Sequence, residues 1–233
     1  MSPALQSARN YYAWIASFFE PVLGRRILDI GGGHGAHLEH VVDGRRFVMS
    51  LDVSAESVTE MKQRFASQQF EALHGDITDA SVIRQLVPRE FDTILCINVL
   101  EHIEHDEAAL RAMAAILRPT AGRLFLLVPA HPILYGTPDV LAGHWRRYRR
   151  KELRQKLAAA GFGTTRLLYF NGFGAIPYGV NSRIVRPRTL SGIVDRQIVV
   201  YDRFFVPVLR RLESWVHPPF GQSLVATAES VGA

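Results

Sequence analysis

Short runs of consecutive apolar residues alternate with longer segments of helical periodicity between residues 26 and 170. Apolar runs such as ILDI, TILCI and LFLLV are typical of strands that are buried on both faces, and helix-length connections between them favour parallel neighbours. We therefore predict a doubly wound α/β sheet. The predicted strands are Arg26–Ile30, Phe47–Asp52, Phe70–His74, Phe91–Ile97, Arg123–Val128 and Thr165–Phe170.

The pattern changes after residue 170, where glycine, proline, arginine and aromatic residues replace the alternation. One further strand candidate, Ser223–Ala228, follows, so we interpret residues 171–222 as an insertion before the last strand and not as a second domain. Within this insertion, apolar residues recur at intervals of three and four from Val194 to Trp215. This spacing predicts an amphipathic helix with a kink or break at Pro207.

The whole chain, residues 1–233, is predicted to form a single domain, because neither an internal repeat nor a linker divides it. Residues 1–23 would form an N-terminal cap with a helix over Ser7–Phe19. Residues 24–170 would form the core of the sheet, and Ser223–Ala228 its final strand.

Composition excludes several classes of protein. Of the 233 residues, 48% are apolar and 21% are charged, which excludes a disordered or fibrous chain. The single cysteine, Cys96, excludes a disulfide framework and a multi-cysteine metal cluster. No apolar stretch reaches the roughly 18 residues of a spanning helix and no leader pattern is present, so we expect a cytoplasmic protein. The net charge of +5 does not by itself identify a partner.

A glycine-rich turn directly follows the first predicted strand, in the run LDIGGGHGA. Glycines let the backbone bend sharply and approach a ligand, and ligands of open α/β sheets bind at this edge. Gly31, Gly33 and Ala36 also satisfy the dinucleotide pattern G-x-G-x-x-G/A. A nicotinamide-dependent oxidoreductase is therefore one alternative.

Carboxylates near the ends of the first three strands favour a different ligand. Asp29 precedes the glycines, where a carboxylate can receive a cationic group, and Asp52 ends the second strand, where it can accept both hydroxyls of a ribose. Asp76 follows the third strand and can accept a proton from an adenine amine. S-adenosylmethionine carries an ammonium group, a free ribose and an adenine, so it would use all three carboxylates.

Four motifs in a fixed order resemble class I S-adenosylmethionine-dependent methyltransferases. They are LDIGGGHG, the strand end at Asp52, GDI at residues 75–77 and NVLEHI at residues 98–103. The resemblance covers about residues 24–130 and implies a Rossmann-like, seven-stranded sheet whose last strand is antiparallel. It also implies S-adenosylmethionine as cofactor and S-adenosylhomocysteine as product. The cofactor-binding residues that it implies are Asp29, Gly31, Gly33, Asp52, Val53, Asp76, Ile77 and Asn98.

The residues after the fourth and fifth strands bear on the methyl acceptor. NVLEH lacks the Pro-Pro motif of enzymes that methylate base or amide nitrogens, and no Pro-Cys pair indicates a cytosine-C5 mechanism. The arrangement H-x-x-L-Y-G…D…G-H-x-R-R-Y at residues 131–148 is similar to bacterial small-molecule methyltransferases. We expect transfer to a small molecule at oxygen, with nitrogen as the alternative. The expected acceptor is anionic, sugar-like or natural-product-like.

Imidazole, phenol and guanidinium groups are concentrated in this segment. His131 and His144 are the candidate general bases, because imidazole exchanges a proton near neutrality. The candidate acceptor-binding residues are Tyr12, Tyr135, Arg146, Arg147 and Tyr148. Structural roles are the alternatives for several candidates: a tie within the loop for Asp29, helix packing for Tyr12, a turn for His131, a solvated face for the arginines and a loop anchor for Tyr148.

We expect no metal, since His34, His37 and His40 do not share one helical face and Asp106 and Asp139 offer no clear ligand set. Nucleic acid and an integral membrane segment are not expected either. Residues 194–216 would serve as a lid, a dimer interface or a peripheral membrane contact, in a monomer or homodimer. A third functional class is a cofactor-binding protein without catalytic activity.

Overall fold

The computed structural model describes residues 8–66, 68–174, 198–216 and 218–231. The strands are β1 Arg26–Ile30, β2 Phe47–Asp52, β3 Phe70–His74, β4 Thr93–Ile97, β5 Arg123–Pro129, β6 Phe162–Phe170 and β7 Ser223–Ser230. The α-helices of the described residues are α1 Arg9–Phe19, α2 Ala55–Arg64, α3 Ala80–Leu86, α4 Asp106–Leu117, α5 Thr137–Ala142, α6 Arg150–Ala159 and α7 Val206–Glu213.

The strands form one seven-stranded sheet in the order β3-β2-β1-β4-β5-β7-β6. Neighbours from β3 to β5 are parallel, and β7 runs antiparallel to both β5 and β6. This confirms the predicted doubly wound, Rossmann-like sheet with an antiparallel last strand. From β1 the strand order runs outward to β2 and β3 on one side, and from β4 it runs outward to β5 on the other. The carboxyl ends of β1 and β4 therefore border the crevice where such folds bind ligands.

Helices cover both faces of the sheet, as the unbroken apolar strands require. Every residue of β4 is buried. One face packs against α3, α4 and α6, through side chains such as Met113 and Leu157. The other packs against α1, α2 and α7, through side chains such as Trp14, Met61 and Leu209.

Strand bounds agree with the sequence in one half of the sheet, from β3 to β1, and differ in the other half. β1, β2 and β3 have the predicted bounds. β4 begins at Thr93 and not at Phe91, since the Asp92 carboxylate turns back to accept the backbone N–H groups of Arg25 and Arg26. β6 begins at Phe162, earlier than predicted, because β7 extends to Ser230 and pairs with it.

Helix α1 packs its aromatic residues against the sheet. The Trp14 and Phe170 ring centroids lie 4.5 Å apart, and those of Phe19 and Phe125 lie 5.6 Å apart. Tyr12 is also buried in this core. The prediction that Tyr12 binds the acceptor is therefore corrected to a packing role, because the spacing that placed it on an aromatic stripe also buries it against the sheet.

Two buried carboxylates fix the helical segment 198–213. Asp202 accepts the backbone N–H groups of Asn10 and Tyr11 and so caps α1. Glu213 accepts the backbone N–H groups at the end of β6, from Asn171 at 3.1 Å and Gly172 at 2.8 Å. These bonds attach both ends of the segment to the core.

The expected break at Pro207 takes the form of a π-helical turn over Tyr201–Phe205. The Val206 N–H donates to the Tyr201 carbonyl, and Pro207 lies in the first turn of α7, where a missing N–H is tolerated. Residues 175–197 of the predicted insertion lie outside the described residues. Whether the insertion acts as a lid, dimer interface or membrane contact stays a prediction.

Apolar side chains of this segment and of the residues directly after it are exposed in the part of the chain that the structure describes. They are Val199, Val200, Phe204, Phe205, Val208, Leu212, Trp215 and Val216. A search of the described helices for one long and apolar enough to span a bilayer finds none.

Candidate active site

The glycine turn after β1 requires glycine for steric and conformational reasons. Gly31 has φ +72° and Gly33 has φ +53°, in the left-handed region that favours glycine. A Cβ atom at Gly31 would lie 2.4 Å from a Val99 methyl carbon. The turn is also tied to β2, since the Gly33 N–H donates to Asp52 Oδ2 at 2.8 Å.

Asp29 lies behind this turn and has no exposed surface. Its Oδ1 contacts His37 Nε2 at 2.7 Å, and its Oδ2 accepts the Ser50 hydroxyl at 2.8 Å. The expected contact between Asp29 and a cationic group of the ligand is therefore corrected. Complete burial makes this carboxylate a tie between β1, β2 and the segment after the turn, which was the alternative open from the sequence.

A cavity of about 410 Å³ opens at the carboxyl ends of β1 to β4. One end is lined by Gly31, Asp52, Val53, Asp76 and Ile77, so most of the predicted cofactor-binding residues meet there. Asp52 is held by its second oxygen as well, because Oδ1 accepts the Ser54 N–H at 2.8 Å. Each carboxylate oxygen has a further lone pair with which it can accept a ligand hydroxyl.

Asp76 and Asn98 are held in different ways. Asp76 is exposed, and its Oδ1 accepts both the backbone N–H and the hydroxyl of Thr78. Asn98 has φ +54°, a left-handed conformation that asparagine tolerates. Its backbone N–H donates to the Leu127 carbonyl at 2.8 Å. Asn98 thereby turns the chain at the end of β4, so that the next residue, Val99, lines the cavity.

The other end of the cavity is lined by residues that follow β4 and by the loop after β5. They are His102, Ile103, Glu104, His105 and Trp145. The two segments are joined by a hydrogen bond from the Trp145 N–H to the Glu101 carbonyl, at 2.8 Å. The cavity therefore connects the cofactor-binding carboxylates to a histidine-rich end.

Glu101, His102 and His144 form what we call the Glu-His-His cluster. Glu101 Oε1 lies 4.0 Å from His144 Nε2, and the two imidazole rings meet edge to face with centroids 4.6 Å apart. Glu101 is only 1% exposed, and its Oε2 has no hydrogen-bond partner. Burial raises the pKa of Glu101 to about 8. Burial and the nearby His144 lower the pKa of His102.

Asp139 orients His144. Its Oδ1 lies 2.9 Å from His144 Nδ1 and accepts Arg147 Nε at 2.8 Å. Burial would raise the pKa of Asp139, but the hydrogen bond from His144 and the charge of Arg147 outweigh it and lower the pKa. An ionised Asp139 accepts a hydrogen bond from Nδ1 of His144, and this contact directs Nε2 toward Glu101.

Arg146 and Arg147 hold the loop and are not placed to bind an acceptor. Arg147 is 4% exposed and donates to Asp139 and to the Ala130 carbonyl. Arg146 pairs with Asp106 at 2.9 Å and donates to the Glu104 carbonyl. The predicted acceptor-binding roles of both arginines are corrected, because buried or partly buried guanidinium groups here are matched by protein acceptors.

The predicted role of Tyr148 is also corrected, from acceptor binding to the alternative that the sequence analysis gave, an anchor for the loop. The side chain is fully buried, and its hydroxyl donates to Asp106 Oδ2 at 2.9 Å. Its backbone forms a bridge with Ala130 at the end of β5. This bridge places Tyr148 in the core, although the surrounding sequence is highly charged.

His131 and Tyr135, predicted as general base and acceptor-binding residue, both contact other parts of the protein. The His131 ring stacks on Tyr169 of β6, at a centroid distance of 4.9 Å, and burial together with Arg147 lowers its pKa. His131 does not belong to the Glu-His-His cluster, and its role as general base stays a prediction. Tyr135 is a support for His144, since its hydroxyl donates to the His144 carbonyl at 2.7 Å.

Sequence reasoning missed Glu101, His102 and Asp139. The signal for the first two was available, because the run NVLEHI directly follows a buried strand whose carboxyl end faces the cavity. Asp139 could be found only from the fold, since the four residues between it and His144 turn back at Gly143, which has φ +77°.

Comparisons with known proteins identify the family. A family model described as a methyltransferase domain matches residues 5–167. A ubiquinone biosynthesis O-methyltransferase from Aeromonas salmonicida is 30% identical over 113 residues, which are 48% of this chain and 47% of the relative. A second such enzyme, from Neisseria meningitidis, is 25% identical over 48% of each chain. The chain thus matches about half the length of these curated relatives.

Solved structures share the fold at low sequence identity. An S-adenosylmethionine-dependent methyltransferase from Archaeoglobus fulgidus has a TM-score of 0.58 and 15% identity, covering 94% of both chains. Magnesium protoporphyrin IX methyltransferase from Synechocystis, solved with S-adenosylhomocysteine, has a TM-score of 0.57 and 14% identity, covering 95% of this chain and 82% of the other. The family match also decides against the nicotinamide alternative for the glycine turn. The chain belongs to the methyltransferase domain family and has the fold of S-adenosylmethionine-dependent methyltransferases.

Proposed function

We propose that this protein transfers a methyl group from S-adenosylmethionine to a hydroxyl oxygen of a small molecule. The observation that carries the proposal is a single cavity with Asp52 and Asp76 at one end and His102 and Trp145 at the other. A cofactor held by the carboxylates would direct its reactive end along the cavity toward the Glu-His-His cluster.

The residues at the first end fit S-adenosylmethionine. The left-handed turn at Gly31 lets the backbone approach a ligand closely, and Asp52 is held rigidly by Gly33 and Ser54 for a pair of ribose hydroxyls. Asp76 and the buried Ile77 offer an acceptor and an apolar wall for the adenine. When bound, the cofactor supplies an electrophilic methyl group, whose bond to sulfur breaks with the electron pair going to sulfur while an acceptor lone pair forms the new bond.

The other end fits an uncharged, planar and hydroxylated acceptor. Trp145 is 56% exposed and lines the cavity beside Ile103, which gives an apolar surface for a flat molecule. Since Arg146 and Arg147 are matched by protein acceptors, they no longer support an anionic acceptor. His102 of the Glu-His-His cluster lines this end, where groups with lone pairs can promote loss of a hydroxyl proton.

Oxygen is favoured over nitrogen by the same cluster and by the curated relatives. A hydroxyl holds its proton at neutral pH and gains from activation, whereas an uncharged amine already has an available lone pair. The relatives named above are O-methyltransferases. Alignment of the two reactants in one cavity would supply much of the remaining acceleration.

Methyl transfer to matched acceptors tests the proposal. The purified protein is incubated with S-adenosylmethionine and pairs of small aromatic hydroxyl and amine compounds of the same shape, and release of S-adenosylhomocysteine is measured. We expect turnover with hydroxyl members of the panel. Turnover only with amines would contradict the choice of oxygen, and absence of turnover with the whole panel would favour the inactive cofactor-binding alternative.

Asp52→Asn separates cofactor binding from acceptor choice. The substitution should weaken S-adenosylhomocysteine binding at least roughly tenfold, because the lost charge weakens hydrogen bonds to the ribose hydroxyls. Asp43→Asn is the matched control, since Asp43 is exposed and pairs with Arg46 away from the cavity. Equal affinities in both variants would contradict the placement of the ribose.

A further inference from the structure

Three side chains with metal-ligating atoms converge beside the cavity, and one of them, His102, lines it. One ligand atom from each member of the Glu-His-His cluster lies within 4.8 Å of the other two. Two of these residues are adjacent in sequence, and the third comes from the loop after β5. The convergence therefore depends on the contact between two separate segments of the chain.

The carboxylate of Glu101 gives a second and independent reason to look for a ligand. Its Oε2 is buried, with no hydrogen-bond partner among the described residues, and the whole residue is 1% exposed. A buried polar oxygen without a partner destabilises the folded state. Proteins keep such groups where an ion, a water molecule or a substrate completes them.

His144 is prepared as a ligand by its surroundings. Metal-bound histidines characteristically donate the second ring N–H to a carboxylate, which fixes the tautomer and the ring orientation. Nδ1 of His144 lies 2.9 Å from the buried Asp139, which leaves Nε2 on the side of Glu101. Asp139 is itself fixed by Arg147, and Tyr135 holds the His144 backbone.

We propose that Glu101, His102 and His144 bind a divalent transition-metal cation of the Zn²⁺ class, with open coordination positions that face the cavity. Two imidazoles and one carboxylate suit Zn²⁺, Co²⁺ or Mn²⁺ better than Mg²⁺ or Ca²⁺, which prefer oxygen ligands. Ligand atoms around a tetrahedral ion with bonds of about 2.1 Å lie about 3.4 Å apart. Small side-chain rotations would bring the present separations to that value.

The role of the cation rests on the proposed function. A hydroxyl of the acceptor would occupy an open position, where the positive charge lowers its pKa, as it does for a bound water. The O–H bond then breaks with its electron pair left on oxygen, and the proton passes to water at the open mouth of the cavity. The cation is not consumed, and it would also fix the orientation of the acceptor oxygen.

Direct titration of the cation tests the site without reference to methyl transfer. The full-length protein is treated with a chelator, dialysed and titrated with Zn²⁺ by calorimetry and with Co²⁺ by visible absorption. We expect one ion per chain, and a Co²⁺ spectrum of low-symmetry, four- or five-coordinate geometry. Glu101→Gln, His102→Asn and His144→Asn should each weaken binding at least roughly 100-fold, and Asp139→Asn about 10- to 100-fold.

Matched substitutions outside the cluster are the controls. Glu107→Gln and His40→Asn change an exposed carboxylate and an exposed imidazole and should leave the affinity unchanged. Thermal unfolding of each variant shows whether it is folded. Because His102 is much less buried than Glu101, its variant keeps the test valid if Glu101→Gln fails to fold.

Absence of Zn²⁺ and Co²⁺ binding, or equal affinity in the His102 and His40 variants, would overturn the proposal. S-adenosylhomocysteine titration of the same samples distinguishes this failure from failure of the proposed function. Cofactor binding and methyl transfer that persist without the cation would remove the metal and keep the methyltransferase. Cation binding without cofactor binding would keep the metal site and contradict the proposed function.

Discussion

Replacing Asp106 with asparagine should destabilise the protein more than any surface charge removal. Asp106 lies at the start of α4, and its side chain is 4% exposed. It accepts hydrogen bonds of 2.9 Å from the Tyr148 hydroxyl, the Lys156 ammonium and the Arg146 guanidinium. The substitution keeps the shape of the side chain and removes its charge.

The expected loss is about 3 kcal/mol. The bond to the fully buried Tyr148 contributes about 1.5 kcal/mol, as a hydrogen bond to a charged group does. The side chains of Arg146 and Lys156 are 26% and 18% exposed, so solvent screens their pairs with Asp106 and each contributes about 0.7 kcal/mol. A loss of this size raises the unfolded fraction roughly 150-fold.

Urea unfolding at pH 7 measures this change, followed by tryptophan fluorescence. Tyr148→Phe removes only the buried bond and should lose about 1.5 kcal/mol. Glu107→Gln removes the exposed partner of Lys156 and should lose at most about 0.5 kcal/mol. If Asp106→Asn were no less stable than Glu107→Gln, the reasoning that places Asp106 at the centre of the loop anchor would be refuted.

The same group predicts a pH dependence. Burial would raise the pKa of Asp106, but hydrogen bonds from Lys156, Tyr148 and Arg146 outweigh it, and the pKa is lowered. A carboxylate whose pKa is lower in the folded state stabilises the protein above its unfolded pKa of about 3.9 and loses this contribution as the pH falls through the folded pKa. The parent protein should therefore lose stability more steeply than Asp106→Asn below about pH 4.

Two further substitutions probe the cavity. Gly31→Ala should weaken S-adenosylhomocysteine binding at least roughly tenfold, because it forces a left-handed alanine against Val99. Gly44→Ala is the control. It causes a similar backbone strain at φ +74° but in open surroundings, so this variant should bind S-adenosylhomocysteine normally. Calorimetry compares the two, and equal binding would contradict the close approach at Gly31. Tyr135→Phe removes the hydrogen bond to the His144 carbonyl and should lower the rate of methyl transfer about threefold to tenfold at unchanged cofactor affinity. Tyr201→Phe loses a hydrogen bond to Asn171 outside the cavity and should leave the rate unchanged. Equal rates in the two tyrosine variants would show that the support is unimportant.

The sheet could be predicted because its central strands, β1, β2, β4 and β5, are apolar and buried on both faces. β1 and β2 each have two parallel neighbours and helices on both faces, so their apolar runs end where burial ends. The predicted start of β6 was wrong by three residues. Pairing with the antiparallel strand β7, and not local apolar character, determines where β6 begins. The π-helical turn before Pro207 depends on backbone hydrogen bonds that the apolar spacing does not reveal.

The cofactor end of the site could be predicted better than the acceptor end. Asp52 and Asp76 are found from their positions at strand ends, which the topology alone brings together. Roles in the loop after β5 depend on burial. The stretch HWRRYRRK is charged, yet the bridge between Tyr148 and Ala130 buries Tyr148 and Arg147, and their pairing follows from that burial.

Titration calorimetry of the purified protein with S-adenosylhomocysteine and, separately, with NAD tests the central claim most directly. The carboxylates at Asp52 and Asp76 and the family assignment predict one S-adenosylhomocysteine per chain and no NAD binding. Binding of NAD without S-adenosylhomocysteine would contradict the claim, and the roles proposed for the Glu-His-His cluster in methyl transfer would have to be withdrawn.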